Sequence, residues 1–192
     1  MTSLASSVRD FSPFNLCLME YDNVSKSFNG VHYTRSREGC PLESEGPKPI
    51  ERKINGLGNH PMSTPFQKTV RGKEAFEQVV RDLNRIEKKA DFEKSLFEMM
   101  CTSQSNLPDN QMDLQGSKSA FRSFHDKLSS IFVEMSDKNY GTRMQTVVLV
   151  DFDGNVTFVE RTRPKGFPND VTYSTCGSSD WKEERYEFKI EN

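Results

Sequence analysis

The strongest constraint on this fold lies at residues 146–161. There TVVLVD (146–151) is followed by Asp153-Gly154 and then by VTFVER (156–161). A β-branched apolar run reads as a buried strand. Asp-Gly between two such runs is a tight hairpin turn. In the return strand, Val156, Phe158 and Glu160 share one face and Thr157, Val159 and Arg161 the other. Val156 and Phe158 favour burying the first face, while Val159 leaves the second open. Residues 185–191 then alternate, with Tyr186, Phe188 and Ile190 on one side. The three segments predict a C-terminal antiparallel meander.

Upstream, residues 14–21 (FNLCLMEY) predict a buried strand, followed by an Asp22-Asn23 turn and a partner strand at 31–34. Residues 35–49 carry Gly39, Pro41, Gly46, Pro47 and Pro49 among charges and read as a loop. Residues 50–57 are expected to form a strand. Phe76, Val79, Val80, Leu83 and Ile86 recur at helical spacing and predict a helix over 72–88. Phe92, Leu96, Met99 and Met100 predict a second helix over 91–100, with Asp91 as its N-cap. Residues 102–119 and 163–180 read as long polar loops. Residues 120–135 are mixed, and LSSIFVE (128–134) fits a helix end or a strand. Residues 1–13 are expected to be a disordered leader before a single domain at 14–192. The fold class is α/β in the α+β sense.

Of the 192 residues 34% are apolar and 28% charged, a lean core for a globular chain. The net charge of −2 gives no basis for nucleic-acid binding. No apolar run reaches bilayer-spanning length, so no transmembrane segment is expected. The cysteines are Cys17, Cys40, Cys101 and Cys176. None forms a CxxC pair or has zinc-ligand spacing, so no metal site is expected and the four read as reduced thiols in a cytoplasmic protein.

Two segments offer candidate site residues. Asn55-Gly56-Leu57-Gly58-Asn59-His60-Pro61 places glycines, an amide and an imidazole between a strand and a helix. Asn59 could donate to a bound oxyanion or carbonyl, or simply cap the turn. Tyr140-Gly141-Thr142-Arg143 places a guanidinium ahead of a strand. Arg143 could grip a carboxylate or phosphate, or pair with Asp151 or Glu160. The pocket candidates are therefore Asn59, His60, Thr142 and Arg143.

The order GLGN-HP-STPFQK, a helix, NYGTRMQTVVLVDFDGNVTFVER and a terminal YEFKI strand resembles the NRDE-domain family of transport and Golgi organisation proteins. Phe14-Asn15-Leu16 is similar to the family's central strand. The resemblance implies a partial αββα sandwich like that of the N-terminal nucleophile hydrolases. Family members begin Met-Cys, the cysteine standing at the nucleophile position. This chain begins Met1-Thr2-Ser3 and carries no NRDE string, so it is expected to be the C-terminal portion of the domain, with no catalytic residue.

The family resemblance implies a non-enzymatic trafficking protein of the cytoplasm, associated with the Golgi or mitochondria. Its roles would be Golgi organisation, protein secretion and haem mobilisation. No resident cofactor is expected. Haem or another small hydrophobic molecule would be cargo, and secretory-pathway or mitochondrial components would be partners. Cys40, before Pro41, and His60 are the haem-ligand candidates, with His32 and His125 as further imidazoles. The alternatives are an amidohydrolase of the N-terminal nucleophile type, for which Thr2 is a poor stand-in, and a truncated isoform with little function of its own.

Overall fold

Among the described residues, period-two and helical patterning sort the chain into three small antiparallel sheets and several helices. The computed structural model describes residues 14–22, 24–35, 47–116, 122–138, 140–163, 176 and 181–191. The proposed leader, Cys40 and most of the second long loop lie outside these residues.

Strands β1 (Phe14–Asp22) and β2 (Ser27–Arg35) pair from Phe14↔Arg35 to Asp22↔Ser27. Asp22 Oδ1 closes their turn by accepting from the Val24 and Ser25 amides. Strand β3 is only Lys48–Pro49, against His32 and Val31 of β2. The expectation of a buried first strand needs correction, because Cys17 to Glu20 are exposed. Cover reaches β1 near Asn15, under the turn at 58–60, and near Tyr21, whose hydroxyl donates to the Phe152 carbonyl.

The strand expected at 50–57 is absent. Asn55 turns that segment back on itself, its amide donating to the Glu51 and Lys53 carbonyls. A side chain that bonds its own neighbourhood competes with the ladder.

Helix α1 (Gln67–Leu83) starts five residues before the expected helix over 72–88, and a 3-10 turn (Ile86–Lys88) leads into α2 (Lys89–Met100). Asp91 is not the N-cap. It lies in the first turn of α2, where a carboxylate still meets the positive end of the helix dipole. The polar stretch after Met100 contains a helix, α3 (Asn110–Gly116), begun by the buried carboxylate of Asp109. Residues 122–135 hold a 3-10 turn, the short helix α4 (His125–Leu128) and strand β4 (Glu134–Met135). Strand β4 pairs with β5 (Tyr140–Gly141). Gly141 is required there, since a Cβ would sit 2.5 Å from the Val133 carbonyl oxygen.

The meander is present as β6 (Met144–Val150), β7 (Asn155–Thr162) and β8 (Lys182–Lys189). Gly154, at φ +79°, makes the β6–β7 turn, with Asp151 Oδ1 accepting from the Asp153 and Asn155 amides. The strand expected to be buried at 146–151 is buried on one face only. Gln145 and Val147 point inward, and Met144, Thr146 and Val148 outward. Helices α1 and α2 supply the inner cover. Leu96, Phe97, Val147 and Val159 form the core, ringed by Phe76, Val79, Phe92, Met100 and Leu149. Burying a side chain such as Phe97 stabilises by about 1.5–3 kcal/mol.

The Thr157–Val159–Arg161 face of β7 is therefore the helix-covered one. Val156 is nevertheless buried on the opposite face. Arg161 lies over the Phe97 ring at 3.8 Å and bridges to Glu183 at 2.8 Å.

The expectation of reduced thiols fails for two cysteines. Cys101, at the end of α2, is disulfide-bonded to Cys176 across 75 residues of chain. Such distant cysteines have no spacing signature, so only the fold brings them together. Cys17 remains a free, exposed thiol.

Candidate functional site

The turn between β3 and α1 carries the most distinctive polar cluster. His60 is buried, and its two ring nitrogens face different partners. Nδ1 lies 2.9 Å from the Pro61 carbonyl oxygen, which can only accept, so Nδ1 carries a proton. Nε2 shares a hydrogen bond with Thr69 Oγ1 at 2.9 Å. The Phe66 ring meets the imidazole edge-on at 4.9 Å.

Gly58 makes this packing possible. A Cβ there would stand 2.7 Å from His60 Nε2 and 3.1 Å from Thr69 Oγ1. Gly56 likewise lies against the Thr69 methyl.

Asn15 connects this turn to the first sheet. Its amide donates to the Gly58 carbonyl at 2.5 Å. Its Oδ1 accepts from Thr34 Oγ1 at 2.8 Å and stands 3.2 Å from Nε2 of the buried His32. Thr34 Oγ1 is also 2.8 Å from His32 Nε2. The result is a fixed polar pin through β1, β2, the 58–60 turn and α1.

A second polar cluster lies beyond Phe66. Asp109 accepts from the Gln67 amide with Oδ2 and from the Met112 amide with Oδ1, at 2.7 and 3.0 Å. Lys68 Nζ donates to the Leu128 carbonyl at 2.8 Å. Burial pushes the Lys68 amine below its ordinary pKa, and the nearby Asp109 charge opposes that shift. His125 Nδ1 faces Asp113 Oδ1 at 3.4 Å.

The four pocket candidates do not converge through any contact seen here. Asn59 is exposed, and its carbonyl accepts from Gln115. Thr142 Oγ1 accepts from the Val133 amide at 3.0 Å, locking β5 beside residue 133. Arg143 is exposed, its carbonyl accepting from the Arg163 amide. Asp151 is engaged in its own turn and Glu160 accepts from Thr146, so the expected pairing of Arg143 with either is not the arrangement found.

His60 instead joins Asn15, His32, Thr34 and Thr69. Of these, Asn15, Thr34 and Thr69 were not legible as site residues. The available signal was Asn15, a lone amide inside an apolar strand run. Among the described residues, no group of three or more His, Cys, Asp or Glu could hold a metal ion. No helix among them is long and apolar enough to cross a membrane.

An α+β chain with helices packed on one face of an antiparallel meander, and a histidine-bearing turn pinned to a separate hairpin, is the class of protein defined here. The family profile described as Transport and Golgi organisation 2 matches residues 1–165. The chain belongs to that family. It is 30% identical over 137 residues to the Transport and Golgi organization protein 2 homolog of Bos taurus, covering 71% of this chain and 45% of the relative. The Homo sapiens homolog is 29% identical with the same coverage. The Drosophila melanogaster Transport and Golgi organization protein 2 is 28% identical over 107 residues, 56% of this chain and 36% of the relative. The chain thus spans less than half the length of these curated relatives.

Proposed function

We propose that this chain acts in Golgi organisation and secretory transport as a non-enzymatic binding protein. Family membership supports the process, and the engagement of His60 supports the absence of catalysis. Both imidazole nitrogens are occupied and the ring is 3% exposed, so it offers no free base. Thr142 is likewise committed to the backbone.

The αββα layering is part of this reading. Helices cover one face of the meander, while Val148, Tyr186 and Phe188 are each more than half exposed on the other. A second sheet would stack on that face. Haem mobilisation is the finer reading, favoured by the same aromatic surface. A flat hydrophobic cargo would find Tyr186 and Phe188 exposed, whereas His60 is buried.

The test pairs two measurements. In insect cells depleted of the endogenous relative, expression of this chain is expected to restore secretion of a reporter. The purified chain is expected to leave amide and β-lactam substrates intact. Hydrolysis that disappears in Arg143→Ala would overturn the non-enzymatic reading. Failure to restore secretion would overturn the trafficking one. Haem cargo is tested by the unfolding temperature with and without stoichiometric haem. An upward shift supports it, and no shift sinks it.

A further inference from the structure

Among the described residues, strand β8 is an edge of its sheet: β7 alone pairs with it, and all of its residues except Glu184 are exposed. Its free backbone groups can be assigned from its pairing. Ile190 donates its amide to the Gly154 carbonyl. In an antiparallel ladder, bonded residues alternate, so Phe188, Tyr186, Glu184 and Lys182 also face β7. Glu183, Arg185, Glu187 and Lys189 therefore turn their N–H and C=O groups to the open side.

These four residues are all charged, and they read −, +, −, + along the strand. Charged edges repel casual strand addition. They also select a register. An added antiparallel strand must pair outward residue with outward residue, so self-pairing about a twofold axis has few options.

With the axis at Arg185, that residue faces its own copy and Glu183 faces Glu187. With the axis at Glu187, that residue faces its own copy and Arg185 faces Lys189. Both options oppose like charges. With the axis at Tyr186, Glu183 faces Lys189 and Arg185 faces Glu187, each twice by symmetry. An axis at Phe188 also matches charges, but it runs past the strand through Glu191 and uses only the C-terminal part of β8. An axis at Glu184 reaches the buried Trp181. The Tyr186 axis alone uses the whole strand with every outward charge matched.

We propose that β8 is a self-pairing edge: two copies of this chain join antiparallel along Lys182–Lys189, with Tyr186 on the twofold axis, into one continuous six-stranded sheet. The interface is isologous. It adds backbone hydrogen bonds from residues now facing solvent, as strand addition does elsewhere. On the outer face the two Tyr186 rings meet, each diagonal to the other copy's Phe188. This merges two half-exposed aromatic patches.

The decisive experiment is charge exchange, read by sedimentation velocity over a dilution series at low salt. The wild-type chain is expected to dimerise reversibly. Lys189→Glu and Glu183→Lys are each expected to weaken the dimer about tenfold or more, since each sets two like-charge pairs across the axis. Mixing these two variants is expected to give a heterodimer of near wild-type strength, and the Glu183→Lys, Lys189→Glu double variant to recover the homodimer.

Glu183 also pairs with Arg161, so thermal melts must show that each variant folds. Tyr186→Cys gives an independent readout, because the two sulfurs would meet on the axis and form an oxidised dimer, whereas Phe188→Cys would not. A monomeric wild-type chain, variants that dimerise unchanged, no heterodimer on mixing, or cross-linking through residue 188 in place of 186 would each overturn the proposal.

Discussion

Arg185 of β8 grips Glu93 of α2 with both arms of its guanidinium, Nη1 donating to Oε2 at 3.1 Å and Nη2 to Oε1 at 2.5 Å. Glu93 is buried, and hydrogen bonding to it is the main reason the Arg185 pKa is raised. The pair ties the outermost strand of the meander to the helix layer.

Removing one partner should cost more than removing both. Arg185→Ala leaves the Glu93 carboxylate inside without its counter-charge, a change worth about 3–5 kcal/mol when fully buried. Arg185 is 40% exposed, so water reduces that to about 1–2 kcal/mol. Urea unfolding is expected to show this loss, and adding Glu93→Gln to recover part of it. Additive losses in the double variant would mean the two residues do not stabilise each other.

The Cys101–Cys176 bond closes a 75-residue loop, so its constraint on the unfolded chain is worth about 4.5 kcal/mol at most. Peptide mapping without reductant is expected to recover these two cysteines linked, with Cys17 free to alkylation. Cys101→Ser is expected to lower the unfolding midpoint as much as dithiothreitol lowers that of the wild type. A midpoint indifferent to reductant would show that the bond does not constrain folding.

Gly58→Ala tests the pin around His60. The added methyl would displace the imidazole from Thr69. A loss of about 1–3 kcal/mol is expected, the cost of opening buried hydrogen bonds. Gly72→Ala, in α1, serves as the comparison, because a Cβ there would meet the Ile131 side chain at an ordinary 3.4 Å. The His60 ring signals in an NMR spectrum should move in the first variant and stay in the second.

Lys68 sets a pH dependence whose sign can be worked out. Burial lowers its folded-state pKa below the ordinary 10.5, so between the two values the unfolded chain binds more protons. Stability contributed by this residue therefore rises with pH across that window. The protonated amine carries its full penalty below the folded pKa, and the penalty fades above 10.5. Subtracting the curve of Lys68→Met from that of the wild type should leave a difference that climbs as pH approaches 10.5. A flat difference would count against a buried amine.

Local patterning revealed the meander and its Asp153-Gly154 turn, because a period-two pattern and a positive-φ glycine are both written in adjacent residues. The two long helices were legible from their apolar faces, though not their starts. Helix α1 begins at Gln67 because Asp109 accepts its first amide from 42 residues away. Helix α3 was hidden for a related reason: polar side chains masked a segment that Asp109 nucleates. The site was half legible. His60 stood out beside its glycines, but Asn15, Thr34 and Thr69 reach it from three separate elements, and no window of sequence holds them together. The disulfide was equally non-local.

Asp109 answers one backbone amide of α1 and one of α3 with the two oxygens of a single side chain. If the start of α3 opens and carries Asp109 away, the Gln67 amide loses its acceptor, whereas fraying of α1 leaves the bond from Met112 to Asp109 intact. The coupling therefore runs one way, and the Gln67 amide should exchange its proton with solvent at least as fast as the Met112 amide.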